Sequence, residues 1–114
     1  MIPGNLPFTL RQGESFGQEI YFKYEDKSSY PLTGCTAKMD VRTNPGAEAI
    51  VKICSGDGIT IDEEEGSIYI EIDKAVTATL KPGSYVYDLF ITDQNGLAKP
   101  FLAGSFNIAA GITQ

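Results

Sequence analysis

The sequence predicts an all-β fold: an antiparallel β-sandwich of seven or eight strands with one short helical turn near residues 73–80. Three observations carry that expectation. Apolar and polar residues alternate with period two along several short runs, which sends successive side chains to opposite faces of a sheet. Turn signals built on Gly, Pro, Asn and Asp recur about every 8–12 residues. Six Tyr, six Phe and no Trp, with twelve Gly and six Pro, suit many short strands and tight turns.

Taken in order, residues 1–7, "MIPGNLP", have no period and read as an N-terminal arm. The sandwich is expected over residues 8–108, with 109–114 as a C-terminal tail. A short strand at Phe8–Leu10 and a Gln-Gly turn precede a longer strand at Ser15–Tyr24. There Phe16, Ile20, Phe22 and Tyr24 share a face, with Gln18 the odd member. In "CTAKMDVR", Cys35, Ala37, Met39 and Val41 alternate with Thr36, Lys38, Asp40 and Arg42, so one face is core and the other wet. Strands follow at Ile50–Cys54, Ile59–Ile61 and Ser67–Ile72, the last two joined by the acidic turn Asp62-Glu63-Glu64-Glu65-Gly66. Asp73 is placed to cap a helical turn that Pro82-Gly83 ends.

The last two strands are the most informative. Tyr85, Tyr87, Leu89 and Ile91 form one parity, but the other holds Val86, Asp88 and Phe90, and Phe90 is out of place facing water. A two-residue Asn95-Gly96 loop pairs Gln94 with Leu97, and hence Leu89 with Leu102, Tyr87 with Gly104 and Tyr85 with Phe106. Gly104 then leaves room for a Tyr ring. The same count sets Phe90 opposite Phe101 on the outer face, among Val86, Asp88, Ala103 and Ser105. Two coverings fit such a patch. One is the chain's own arm or tail; the other is a subunit or partner, with Met1, Ile2 and Pro3 of the arm adding contact area.

Composition narrows the function classes. A chain of 114 residues makes one domain. Nine basic against fifteen acidic residues, a net charge of −6, disfavour a duplex nucleic-acid partner. No apolar run approaches the ~20 residues of a membrane span, and no signal peptide is visible, so synthesis in the cytoplasm is expected. With no histidine, no CxxC and no G-x-S-x-G, no catalytic residues, metal site or cofactor are expected. The acidic turn lacks calcium-loop spacing and reads as a solvated tip. Cys35 and Cys54 are expected as two buried thiols rather than a disulfide.

The order of motifs "FTLRQGESF", "YPLTGCTAKMDVR", "GDGITIDEEEGSIYIEI" and "LKPGSYVYDLFITDQNGLAKPFLAGSFNI" resembles a group of small phage and prophage proteins. They are similar to the immunoglobulin-like N-terminal domain of phage baseplate upper proteins. The resemblance covers roughly Phe8 to Ile108 and rests on core and turn residues. It implies an immunoglobulin-like sandwich in which a tyrosine of "LKPGSYVYDL" bonds its hydroxyl back to the connecting segment. The implied role is a virion structural component made in the host bacterial cytoplasm, either a tail, baseplate or fibre adaptor or a capsid cement or decoration protein. Its partners would be other virion proteins, copies of itself among them. A carbohydrate- or receptor-binding module is the alternative, with Tyr30 and Tyr69 as stacking platforms.

Overall fold

The computed structural model describes residues 4–23, 26, 28 and 31–111. Among the described residues, nine strands and one helical turn follow in order: β1 Gly4–Asn5, β2 Phe8–Arg11, β3 Phe16–Tyr21, β4 Thr36–Arg42, β5 Ala49–Ser55, β6 Gly58–Asp62, β7 Ser67–Ile72, α1 Lys74–Thr77, β8 Gly83–Thr92 and β9 Ala98–Ala109. All the strands belong to one mixed sheet, ordered β1-β9-β8-β4-β5-β6-β7-β3, with β2 also on the outer edge of β9. The sheet coils until its two edges nearly meet, where the Phe8 and Phe16 rings pack edge to face at 5.5 Å.

This corrects the expected purely antiparallel arrangement in two places. β1 and β2 run parallel to β9, with Gly4 opposite Leu102 and Phe8 opposite Phe106. The second place is the corner between β5 and β6. Gly56 and Gly58 take φ of 87° and 101°, a region most side chains avoid, and the chain swings so that Cys54 pairs in parallel with Gly58. Hydrogen bonds from Cys54 N–H to the Asp57 carbonyl and from Gly56 N–H to the Ile59 carbonyl carry the sheet through that corner. Two half-sheets therefore become one continuous one.

The period-two runs behave as the sequence dictates. Ala37, Met39 and Val41 of β4, Ile68, Ile70 and Ile72 of β7, and Tyr85, Tyr87, Leu89 and Ile91 of β8 all point inward to a single core. Phe106 and Met39 lie at its centre, both with no exposure. Burying such a side chain contributes about 1.5–3 kcal/mol, so this shared interior is the main reason the coil closes.

Asp73 caps α1 as expected, its side chain accepting from Ala75 N–H at 3.2 Å. The turn is then latched to the β2–β3 connection. The buried Thr77 hydroxyl accepts from Gly13 N–H and donates to the Glu14 carbonyl, at 3.1 and 2.9 Å, and the Gln12 amide donates to the Leu80 carbonyl. At the entry to β8, the Tyr85 hydroxyl donates to the Lys81 carbonyl at 2.6 Å, the back-bond implied by the resemblance. Among the described residues, no helix is long and apolar enough to cross a membrane.

Candidate functional site

The β8–β9 hairpin meets its expectation at one end and departs from it at the other. Leu89 pairs with Leu102, Tyr87 with Gly104 and Tyr85 with Phe106, as counted from the sequence. The loop, however, is one residue longer than expected: Asp93 N–H donates to the Leu97 carbonyl, enclosing Gln94, Asn95 and Gly96. Gly96, at φ 85°, supplies the left-handed residue that such three-residue loops need. A β-bulge then inserts Phe101 between the Phe90–Pro100 and Leu89–Leu102 pairs. The longer loop shifts the register by one and the bulge shifts it back.

The expected Phe90–Phe101 pair falls between these two irregularities and does not form. The bulge turns Phe101 inward together with Leu102, and its ring meets Phe22 edge to face at 5.3 Å. Phe90 stays outside, 37% exposed, opposite Pro100 and Lys38. A sequence signal for this was present. Pro100 inside a strand, followed by two consecutive bulky apolar residues, suits a bulge better than a regular ladder.

Of the other expected site residues, Val86, Asp88 and Ala103 do come together, lining a shallow depression with Arg42, Pro45 and Gly46. Met1, Ile2 and Pro3 lie outside the described residues, as does Tyr30. The described part of the arm lies along β9. Leu6 N–H donates to the Ala103 carbonyl, and the Tyr87 hydroxyl donates to the Leu6 carbonyl at 2.6 Å. The nearest atoms to the space that Gly104 leaves are thus the Asn5 side chain and the Leu6 backbone of the arm. Burial pushes the Tyr87 hydroxyl pKa up to about 12.

β4 carries one residue on its expected outer face that is nevertheless buried there. Asp40 was expected on the wet face and is buried, directly across from Asp88. Two carboxylates at opposed positions repel, and Arg42 relieves this by reaching both, at 3.2 Å to Asp40 and 3.5 Å to Asp88. Its Nε–H also donates to the Ala47 carbonyl, which fixes the guanidinium over the strand. Asp40 Oδ1 is buried with no hydrogen-bond partner among the described residues. Lys38 lies 3.9 Å from the other Asp40 oxygen, its side chain 66% exposed. The outer face of β5-β4-β8 is therefore an apolar edge (Ile50, Val86 and Phe90) around a charged centre in which Lys38, Arg42 and Lys52 outnumber Asp40 and Asp88.

The opposite outer face, on β3-β7-β6, has a different character. Tyr69 lies across Gly17, where any side chain would collide with its ring, and pairs in register with Glu19. The Tyr21 hydroxyl donates to Glu19 Oε1 at 3.0 Å, and this bond raises its pKa above the usual tyrosine range. The Lys23 ammonium sits over the Tyr21 ring, 5.5 Å from its centroid. Glu19, Glu71 and Asp62 make this face acidic.

Both cysteines are free; Cys35 is half-buried, but Cys54 is exposed next to Lys38 rather than buried as expected. Burial, with Asp93 and Glu63 nearby, raises the Cys35 thiol pKa. In the acidic turn, Asp62 accepts from Glu65 N–H and Glu63 from Gly34 N–H, so those carboxylates brace backbone. Among the described residues, no three His, Cys, Asp or Glu side chains gather as a metal-binding group.

No family model matches the chain, and no curated protein matches it. What the fold and its faces define is an all-β domain on one coiled mixed sheet, with two chemically distinct outer faces.

Proposed function

We propose that this chain is a non-catalytic structural protein of a phage particle. It acts through protein–protein contacts as a capsid cement or decoration protein, or as a tail, baseplate or fibre adaptor. The fold reading under this proposal is immunoglobulin-like: β2-β9-β8-β4-β5 stand against β3-β7-β6, and the Tyr85–Lys81 bond sits at the entry to the penultimate strand. The single observation that carries the role is the outer face of β4-β8, where Phe90 and Val86 face outward around the Arg42-centred charges. Aromatic side chains and arginine are enriched in protein-binding surfaces, and both stand on this face as Phe90 and Arg42. The motif order of the sequence supports the phage setting.

The test is the protein content of purified particles from the phage that encodes the chain. Mass spectrometry should find it in stoichiometric amount. Its absence from particles, with abundant expression in infected cells, would sink the proposal.

A second reading, a carbohydrate- or receptor-binding module of a phage tail, has one observation in its favour. Tyr69 and Tyr21 flank the Glu19 carboxylate on one exposed face, an arrangement able to stack on a pyranose and accept from its hydroxyls. Binding of the purified domain to a glycan array that is lost in Tyr69→Ser would favour this reading over the first.

A further inference from the structure

The two outer faces carry opposite net charge: Lys38, Arg42 and Lys52 against Asp40 and Asp88 on one, and Glu19, Glu71 and Asp62 against Lys23 on the other. The β5-β4-β8 face presents exposed Phe90 between Lys38 and Pro100, with Lys52 one strand further on. The β3-β7-β6 face presents the Tyr21 and Tyr69 rings among Glu19, Glu71 and Asp62, all of them exposed. These faces look away from each other across a shared core, since inward residues of both half-sheets belong to one cluster. Stacking either face on its own copy opposes surfaces of like net charge. The lysine face on the acidic face instead pairs Lys38 and Lys52 with carboxylates and Phe90 with tyrosine rings. The molecule already uses one such contact internally, Lys23 over Tyr21.

We propose that the partner of the Phe90 face is the Tyr69 face of a second copy of this chain. The contact is heterologous: each copy uses one face toward each neighbour, so copies add head to tail into a ring or an open row rather than closing as a two-fold dimer. This rests on the reading of the chain as a protein that works by protein–protein contact, and it names the partner.

The test is sedimentation velocity on the purified chain across a concentration series at low and high salt, with circular dichroism to check that each variant is folded. The average mass should rise with concentration and fall with salt. Lys38→Glu with Lys52→Glu should weaken association at least ten-fold, and so should Glu19→Lys with Glu71→Lys. The variant carrying all four changes restores complementarity while keeping the wild-type net charge of −6, and should regain association. Three outcomes overturn the inference: a monomer at every concentration, a closed dimer sensitive to reversal of one face only, or a four-fold variant that stays monomeric. A monomer that is nevertheless found in purified particles overturns self-association while leaving the structural role standing, so the two failures are distinguishable.

Discussion

The two ends of the β8–β9 hairpin share one ladder and are held by different means. At the arm end, Tyr85 and Tyr87 point into the core, and their hydroxyls reach the Lys81 and Leu6 carbonyls. Phe8 stacks on Tyr87 with ring centroids 4.8 Å apart. At the turn end a loop and a bulge set the register, Phe90 faces out, and the Asp93 carboxylate accepts from both Asn95 and Leu97 N–H. The first end is fixed by interior contacts from distant parts of the chain; the second is fixed locally. Substitutions should therefore sort by which end they touch and which way the side chain points.

The largest effect tests the bulge. Phe101→Ala should cost about 3–5 kcal/mol, because a buried ring leaves a cavity against Phe22, whereas Phe90→Ala should stay within about 0.5 kcal/mol. Equal effects in denaturant titrations would mean the two rings share one face after all. Next is Gly104→Ala at the arm end. Its Cβ would lie 2.8 Å from Asn5 Oδ1 and 3.0 Å from the Leu6 carbonyl oxygen, so the arm must shift, at about 1–3 kcal/mol. An unchanged melting temperature would show that the arm is not seated there.

Tyr87→Phe follows, at about 1–2 kcal/mol, since it strands the Leu6 carbonyl. It also carries a pH signature. The folded-state pKa of about 12 lies above the ordinary value of 10.0, so the neutral hydroxyl is the form the fold favours. Its contribution is complete below pH 10 and is lost as the pH rises through 10 toward 12. Thermal melts over that window should fall more steeply for the wild type than for Tyr87→Phe. Asp93→Ala comes next: it removes the carboxylate that accepts from two backbone N–H groups at the exposed turn and should cost about 1 kcal/mol, with no effect on the pairing of Tyr85. Amide exchange at the arm end checks that independence.

Much of the fold was legible because period two is a strong signal wherever one face is buried. Ser67–Ile72 and the inward set of β4 were assigned correctly from alternation alone. The arm-end pairs of the hairpin were also right, but through compensation: the expected loop was one residue short, and the unforeseen bulge restored the count. Phe101 was therefore sent to the wrong face. Asp40 was missed for another reason. Its burial depends on Arg42 and on Asp88 across the strand pair, and a register between distant segments is invisible to a local pattern. The parallel seating of the arm on β9 likewise needs the three-dimensional edge to exist first. Of the candidate surface, alternation placed Val86, Asp88, Phe90 and Ala103 on one outer face, where they lie; the ion pairs that Arg42 makes beside them were not legible.

The parallel seating of β2 on β9 also bears on how the domain carries mechanical load. The first long strand and the last one run the same way, held in register from Phe8–Phe106 to Arg11–Ala109. Tension applied through the two ends drags these strands past each other along their length instead of peeling them apart. The backbone bonds between them are then loaded together rather than one after another, and the Tyr87 hydroxyl adds a cross-tie at Leu6. Such a domain yields in shear, a property suited to a component that must hold its position while the structure around it strains.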